Sequence, residues 1–347
     1  MTAPGPVYQL ALRDFHAAAG ATFGAQSGWS MPVAYGGVVN ECESLRGAAA
    51  AFDRSNRSRI LLSGTDALDV LKAAFAGHVE DLEEGRAMRT VSVDEAGNIE
   101  DVALIARTGG ISFMVSGEPG QRFATLERLR KAVGSDFEVR IDDRTETTCL
   151  VGLAGPKAAQ TAQEHLAGAL PARLQTLHCV TFEFHGFRAL AIRTSDTGED
   201  GFEFMVAPAV ALHMFETLVA AGVPMAGLQA LEIARIESCI PAFEPDLAGG
   251  LSPAEADLDA LLDVPGGREG RILAGLLMEG GPVAPGTNID VEGAAIGEIR
   301  SSVRSPGLNA TIGLGVIDVR YSFPGQTVRV GEDAATIVAK PFYRRRA

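Results

Sequence analysis

Twice along the chain a strand pattern leads into a helix, then a hairpin, then a second helix, and this recurrence limits the available folds more than any other feature. In the first copy Arg59 to Leu62 reads as a strand, and Ser63-Gly64-Thr65-Asp66 opens a helix whose Leu68, Leu71 and Phe75 share one face. Arg89 to Asp94 and Ile99 to Arg107 are strands joined by Glu95-Ala96-Gly97-Asn98, and Gly109-Gly110 turns the chain into Ile111 to Ser116. A helix follows from Gln121 to Val133, with Phe123, Leu126 and Val133 as its buried stripe. In the second copy Thr181 to Phe184 and Phe187 to Thr194 flank His185-Gly186, Phe202 to Val206 follows a turn at Thr197 to Gly201, and Ala211 to Ala221 is helical. The order implies two α+β units built alike, although no repeat is visible residue by residue. From about Gly266 the texture changes to short strands broken by Gly or Pro every few residues, the pattern of a small all-β barrel. A chain of 347 residues, 46% of them hydrophobic, can bury the two or three cores this requires.

Several ligand classes are excluded. The net charge is −14 and the pI about 4.9, whereas a phosphate backbone needs an excess of Lys and Arg to release its counterions. The one dense basic run, Arg344-Arg345-Arg346, reads as a solvated tail. Met1 to Leu12 lacks the basic stretch and apolar core of a signal peptide, and no apolar run is long enough for a bilayer. A soluble, cytoplasmic protein is expected. Cys42, Cys149, Cys179 and Cys239 form no C-x-x-C pair and the histidines stand apart from them, so no structural metal site is expected. Walker loops, dinucleotide fingerprints and a G-x-S-x-G elbow are missing too.

Three polar residues fit an ordinary packing account badly. Asp101 shares a strand face with Ile99, Ala103 and Ile105, where a carboxylate needs a partner. It either caps a neighbouring backbone amide or meets a cationic ligand. Glu203 alternates with Phe202, Phe204 and Val206 and so points away from their apolar face, to water or into a cavity. Ala226 to Ile240 should be helical, with Arg235 on the stripe of Leu228, Leu231 and Cys239. A buried guanidinium must be paired, either with Glu232 one turn earlier or with an anion or heterocycle. Trp29, the single tryptophan, is assigned to packing.

In order and spacing these segments resemble the folate-binding aminomethyltransferase family, typified by the T-protein of the glycine cleavage system. Gly28-Trp29-Ser30-Met31-Pro32-Val33, then Glu41 and Arg46, are similar to its G-W-x-M-P-V and E-H-x-x-x-R opening. Phe52-Asp53-Arg54-Ser55 resembles F-D-x-S, Ser63 to Ala67 resembles x-G-x-D-A, and Gly97 to Asp101 resembles G-x-x-D-D. Leu153 to Pro156 is similar to L-x-G-P, and Thr197-Gly198-Glu199-Asp200-Gly201-Phe202-Glu203 reproduces T-G-E-D-G-F-E unchanged. Ala234 to Glu237, Pro253 to Ala256, Ser305 to Leu308 and Lys340 to Phe342 resemble L-R-L-E, P-x-E-A, S-P-x-L and K-x-P-F.

The resemblance implies a three-domain ring around tetrahydrofolate: two ferredoxin-like α+β domains and a C-terminal small β-barrel. The domains would be residues 1–50 with 145–230, residues 51–144 with 231–265, which bind folate, and residues 266–347. Carried over by position, Asp101 is the catalytic carboxylate at the reactive edge of the folate. Glu203 takes the pterin's amide and amine donors, and Arg235, Asp196 and Phe243 border the folate. The expected partner is a small-molecule one-carbon donor or a lipoyl carrier protein. The family pattern is also broken. Cys42 and Asn56 replace histidines, Asp196 a tyrosine, Gly117 an asparagine and Ala284 an arginine, and the K-x-x-F-I-G stretch has become Gly267 to Leu273. Two activities therefore compete: a tetrahydrofolate-dependent aminomethyl or methyl transferase, and a folate-binding accessory protein without turnover, as in iron–sulfur cluster maintenance. Against the second, Ser238-Cys239-Ile240-Pro241-Ala242-Phe243 lacks the lysine and glutamine of that group's K-G-C-Y-x-G-Q-E signature.

Overall fold

The computed structural model describes residues 8–166, 174–259, 262 and 270–345. Part of the Met1 to Leu12 reading, the barrel start at Gly266, much of the Gly267 to Leu273 stretch, and Arg346 lie outside the described residues.

The chain begins with β1 (Tyr8–Gln9), α1 (Arg13–Ala18), β2 (Thr22–Gln26) and β3 (Trp29–Ala34), with β3 between parallel β1 and antiparallel β2. Trp29 packs with Leu10 and Met31 and stacks on Tyr8 at 5.1 Å. Next come α2 (Val38–Gly47) and β4 (Ala50–Asp53). The first repeated unit is β5 (Ile60–Ser63), α3 (Ala67–Ala74), β6 (Ala87–Val93), β7 (Ile99–Gly109), β8 (Ser112–Gly117), α4 (Arg122–Lys131) and β9 (Arg140–Asp143). The second is β10 (Cys149–Ala154), α5 (Ala158–His165), β11 (Cys179–Phe184), β12 (Phe187–Ile192), β13 (Gly201–Val206) and α6 (Pro208–Ala220).

The two five-stranded sheets have matching orders, β6-β7-β8-β5-β9 and β11-β12-β13-β10-β4. In each, three consecutive strands are followed by the strand that opened the unit. The edge next to that opening strand is filled by β9 from after the first unit but by β4 from before the second. The duplication expected from the patterns is therefore one of topology.

Each sheet lays one face on its own helices. Ile60, Leu62, Ala103, Ile105, Phe113 and Val115 pack on Val70, Leu71, Leu126 and Leu129. Val151, Leu153, Phe202, Phe204 and Val206 pack on Ala158, Ala162, Met214, Phe215 and Leu218. The opposite faces meet: Leu104, Ala106 and Met114 share a cluster with Cys179 and Ile192. Backbone bonds join the sheets at one edge, from Ala87 N to Leu177 O (2.7 Å) and from Cys179 N to Gly85 O (2.8 Å). One expected core residue fails: Phe123 is 60% exposed, and the Arg122 guanidinium lies 5.1 Å above its ring. Its place on the buried stripe of α4 is taken by Thr125 and Leu129.

By internal contact the chain divides into Met1–Thr90, Asp101–Ser195 and Glu199–Ala230 on one side, and Val91–Glu100, Asp196–Gly198 and Leu231–Ala347 on the other. The second unit holds most of α7 (Leu228–Glu237), a short turn (Phe243–Leu247) and a barrel. The helix is shorter than Ala226 to Ile240: Cys239 lies beyond its end with φ 53°, off the stripe it was expected to share. The barrel closes in the order β14-β17-β16-β15-β18-β19, from β14 (Arg271–Met278), β15 (Asn288–Val291), β16 (Ala294–Ser305), β17 (Ala310–Asp318), β18 (Thr327–Val330) and β19 (Asp333–Val338). Ile272, Leu276, Ile289, Ile299, Ile317, Val330 and Ile337 fill it. No helix among the described residues is long and apolar enough to cross a membrane.

Candidate functional site

Between β4 and β5 runs Asp53-Arg54-Ser55-Asn56-Arg57-Ser58-Arg59, polar at every position and yet buried everywhere but Arg54. Burying that many polar groups requires a partner for nearly each. Asp53 takes the Ser55 amide on Oδ1 (2.7 Å) and His16 Nε2 on Oδ2 (2.9 Å). The other ring nitrogen of His16, Nδ1, lies 2.7 Å from the Tyr35 hydroxyl, so the imidazole bridges Asp53 and Tyr35. Burial, with Asp53 and Glu41 nearby, pushes the Tyr35 phenol far above its usual value. At the other end Arg59 donates to Thr148 Oγ1 (2.9 Å), to the carbonyls of Ser55 (3.1 Å) and Arg57 (2.6 Å), and to those of Thr145 and Thr148. Burial lowers Arg59 to about 10, which the nearby Asp53, Cys149 and Asp143 only partly offset. The loop is thus anchored at both ends.

Arg57 lies between these anchors and turns the other way. Its guanidinium pairs with Glu118, just beyond β8, and with Glu203 Oε1 at 3.9 Å. Glu118 in turn donates its backbone N–H to Asp101 Oδ1 at 3.2 Å, and Thr125 of α4 donates its hydroxyl to Asp101 Oδ2 at 2.7 Å. Asp101 is fully buried. Burial pushes its carboxyl up to about 7, against Thr125, Arg128 and Arg57, which pull it down. The carboxylate occupies space that exists only because residue 117 is glycine. A Cβ there would stand 2.6 Å from Asp101 Oδ2 and 3.1 Å from Ser58 Oγ, the hydroxyl oxygen that accepts the Gly117 amide at 2.8 Å.

Glu203 sits on β13 opposite Ile192 and Gly152, on the face turned toward the other sheet. Phe52 lies across from Gly152 on β4, and its ring crosses Gly152 so closely that a Cβ would meet Cε2 at 2.1 Å. Of the three acids in the T-G-E-D-G-F-E turn, Asp200 takes a fork from Arg193 at 2.8 and 2.6 Å, while Glu199 and Glu203 are each approached by one arginine, Arg46 at 3.8 Å and Arg57 at 3.9 Å. Glu203 is the one that faces the other sheet. It is 4% exposed, so it does not point to water, and its Oε2 has no hydrogen-bond partner. Glu41 of the sequence opening is structural: its carboxylate takes the amides of Tyr35 (2.6 Å) and Gly227 (2.8 Å).

Asp101 and Glu203 are therefore brought to one arginine within the first unit. Of the two readings of Asp101, amide capping describes its contacts, with the Glu118 amide and with the Val102 amide of its own strand. Arg235, in the second unit, is paired. Glu232 receives its Nε and Nη2 at 2.7 and 2.5 Å, and Asp246 its Nη1 at 2.5 Å. Asp246 also accepts the Ala242 amide at 2.9 Å. Phe243 opens that turn half-buried, and Asp196 is half-buried between β12 and β13. The sequence reading overlooked Arg57, Glu118 and Thr125. A signal existed for the first: seven polar residues without Gly or Pro join two apolar strands, which is not the composition of a surface turn.

The family models for the GCVT N-terminal domain and the glycine cleavage T-protein C-terminal barrel domain match residues 12–265 and 271–344. Among curated proteins the chain is 31% identical to an aminomethyltransferase of Streptomyces coelicolor, over 97% of this chain and 98% of that one. It is also 31% identical to one of Rubrobacter xylanophilus, over 99% and 96%. Among solved structures, the glycine cleavage system aminomethyltransferase T of Bartonella henselae superimposes with a TM-score of 0.89 at 25% identity, covering 98% of this chain and 99% of that one.

Proposed function

The chain belongs to the glycine cleavage T-protein family, and from that premise we propose that it transfers an aminomethyl or methyl group from a donor to tetrahydrofolate. The observation that carries this reading is the bare Oε2 of buried Glu203. A carboxylate oxygen without a donor is costly inside a protein, unless a ligand brings one. The edge of a pterin presents an amide and an amine, donors that suit two carboxylate oxygens.

Bound tetrahydrofolate would supply the nitrogen that takes up the one-carbon unit. Asp101 would stand by the migrating group. Its carboxyl at about 7 is poised between charge states. Positive charge arriving beside it favours the ionised form, and a dry surrounding strengthens that attraction. For Asp196, Arg235 and Phe243, assignment to the folate rests on the resemblance alone. The named relatives are aminomethyltransferases, which favours an aminomethyl donor, a small molecule or a group carried on a lipoyl protein.

Calorimetric titration with tetrahydrofolate, paired with thermal unfolding, tests the reading. A ligand that binds only the native state should stabilise it by about 2.7 kcal/mol at a hundredfold excess over Kd. No heat and no thermal shift would remove the folate from the account. Binding without turnover, over a panel of amine and methyl donors, would leave an accessory folate protein in its place.

A further inference from the structure

We infer that Arg57 is a positioning residue of this site, holding Glu203 in place from one side and, together with Arg128, setting positive charge beside Asp101 on the other. The link to folate rests on the function proposed above; the link to Asp101 does not.

Two neighbouring arginines of one loop make the case. Arg59, two residues on, is satisfied by a threonine hydroxyl and four backbone carbonyls, which is how a guanidinium is used to brace a loop. Arg57 is also buried, at 5% exposure, yet it meets the carboxylates of Glu118, just beyond β8, and Glu203, within β13, which belong to two different sheets. The loop is pinned on both flanks, by Asp53 on His16 and by Arg59 on Thr145 and Thr148. The backbone that carries Arg57 is therefore held on both sides. Glu203 is bound through Oε1 only and at 3.9 Å, so the contact orients the carboxylate while its other oxygen stays available. The charged groups around Asp101 are Arg128 from α4, Arg57 from the loop and Glu118 from the end of β8. Arg57 is the one of them that also touches Glu203, so a single side chain couples the two acids.

The test begins with the folate-free protein. Carboxyl ¹³C NMR with labelled aspartate follows Asp101, assigned by its loss in Asp101→Asn. Arg57→Met should move its titration midpoint upward by about one pH unit, because an opposing charge is gone, and Arg57→Lys should keep it near the wild type. Glu118→Gln, which removes a negative charge instead, should move it downward; this variant serves as well if Arg57→Met fails to fold. The second readout is tetrahydrofolate affinity, expected to fall at least tenfold in Arg57→Met and to recover in part with lysine. If both arginine variants lose only thermal stability, with midpoint and affinity unchanged, Arg57 is a structural brace and the inference is overturned. Failure of the wild type to bind folate would instead sink the proposed function, and the titration would still decide the role of Arg57.

Discussion

Two buried arginines, each held by two carboxylates, behave differently, and the difference separates a closed site from an open one. Arg235 is 7% and Arg57 5% exposed, so burial does not distinguish them. Around Arg235 the partners are local, one turn back and in the turn that follows the helix, and Glu232 makes a bidentate fork. Around Arg57 the partners arrive from the ends of β8 and on β13, and one contact is long. Both clusters leave one buried carboxylate oxygen without a donor, Asp246 Oδ1 beside Arg235 and Glu203 Oε2 beside Arg57. What separates them is that the Arg235 contacts are short and local, whereas the Glu203 contact is long and made between residues far apart in the chain.

The strongest way to break the comparison is to remove Arg235. Arg235→Ala would leave Asp246, fully buried, without its cation, a loss of about 3–5 kcal/mol of stability. Chemical denaturation should show it as a shift in midpoint with little change in slope. A folded variant of near wild-type stability that has lost folate affinity would move Arg235 from the closed class to the open one.

Asp101→Asn should have opposite effects on activity and stability. Turnover is expected to fall by about 10²–10³-fold, the loss typical of a single group facing developing charge. Stability should rise at alkaline pH. The folded state holds the Asp101 proton up to about 7, whereas an unfolded aspartate releases it near 3.9. Stability tied to this group is therefore complete below about pH 4 and lost as pH climbs through 7, by up to about 4 kcal/mol. Unfolding scans of wild type and variant should converge at pH 4 and separate by pH 8. Parallel curves would mean that Asp101 is not the group that titrates.

The same contrast explains what could be read from the sequence. The hairpin strands, α3, α4, α6 and the barrel texture follow from apolar periodicity and from Gly and Pro punctuation, which act over a few residues, whereas β4, β9 and β10 were not read as strands. The pairing of Arg235 with Glu232 was among the open readings because three residues of a helix separate them. Arg57 was not legible, since its partners lie on β13 and beyond β8 and no local pattern joins them. Phe123 failed for the converse reason: it lies at a helical stripe position, but the cation beside it offers a solvent-side resting place. Duplication is visible in the sheet orders and invisible in residues, because topology constrains which positions are apolar and not which apolar residue fills them.

Glu203→Gln sharpens the open side. The amide keeps one acceptor and turns the other oxygen into a donor, so a ligand N–H would face an N–H. Folate affinity should weaken by about 1–3 kcal/mol, roughly 5- to 150-fold, with the fold retained. Calorimetry on the variant measures this directly, and unchanged affinity would mean that the bare oxygen does not meet the folate.

The smallest change proposed, one methyl group at Gly117, asks whether Asp101 needs the position it has. Where the family pattern carries asparagine, this chain has glycine, and the Asp101 carboxylate takes up the space a side chain would fill. The backbone of Gly117 lies outside the left-handed region, so alanine is allowed there; the obstacle is Asp101 Oδ2 at 2.6 Å and Ser58 Oγ at 3.1 Å from the new Cβ. Either Asp101 leaves Thr125 or Ser58 gives up the Gly117 amide, at about 1–2 kcal/mol. Because Glu203 is held through Arg57 and not through Gly117, Gly117→Ala should lower turnover several-fold while folate affinity stays at its wild-type value. The titration of Asp101 decides which adjustment occurs. A midpoint that moves says the carboxylate was displaced, and one that stays near 7 alongside full turnover says the serine yielded and glycine at this position is no part of the chemistry.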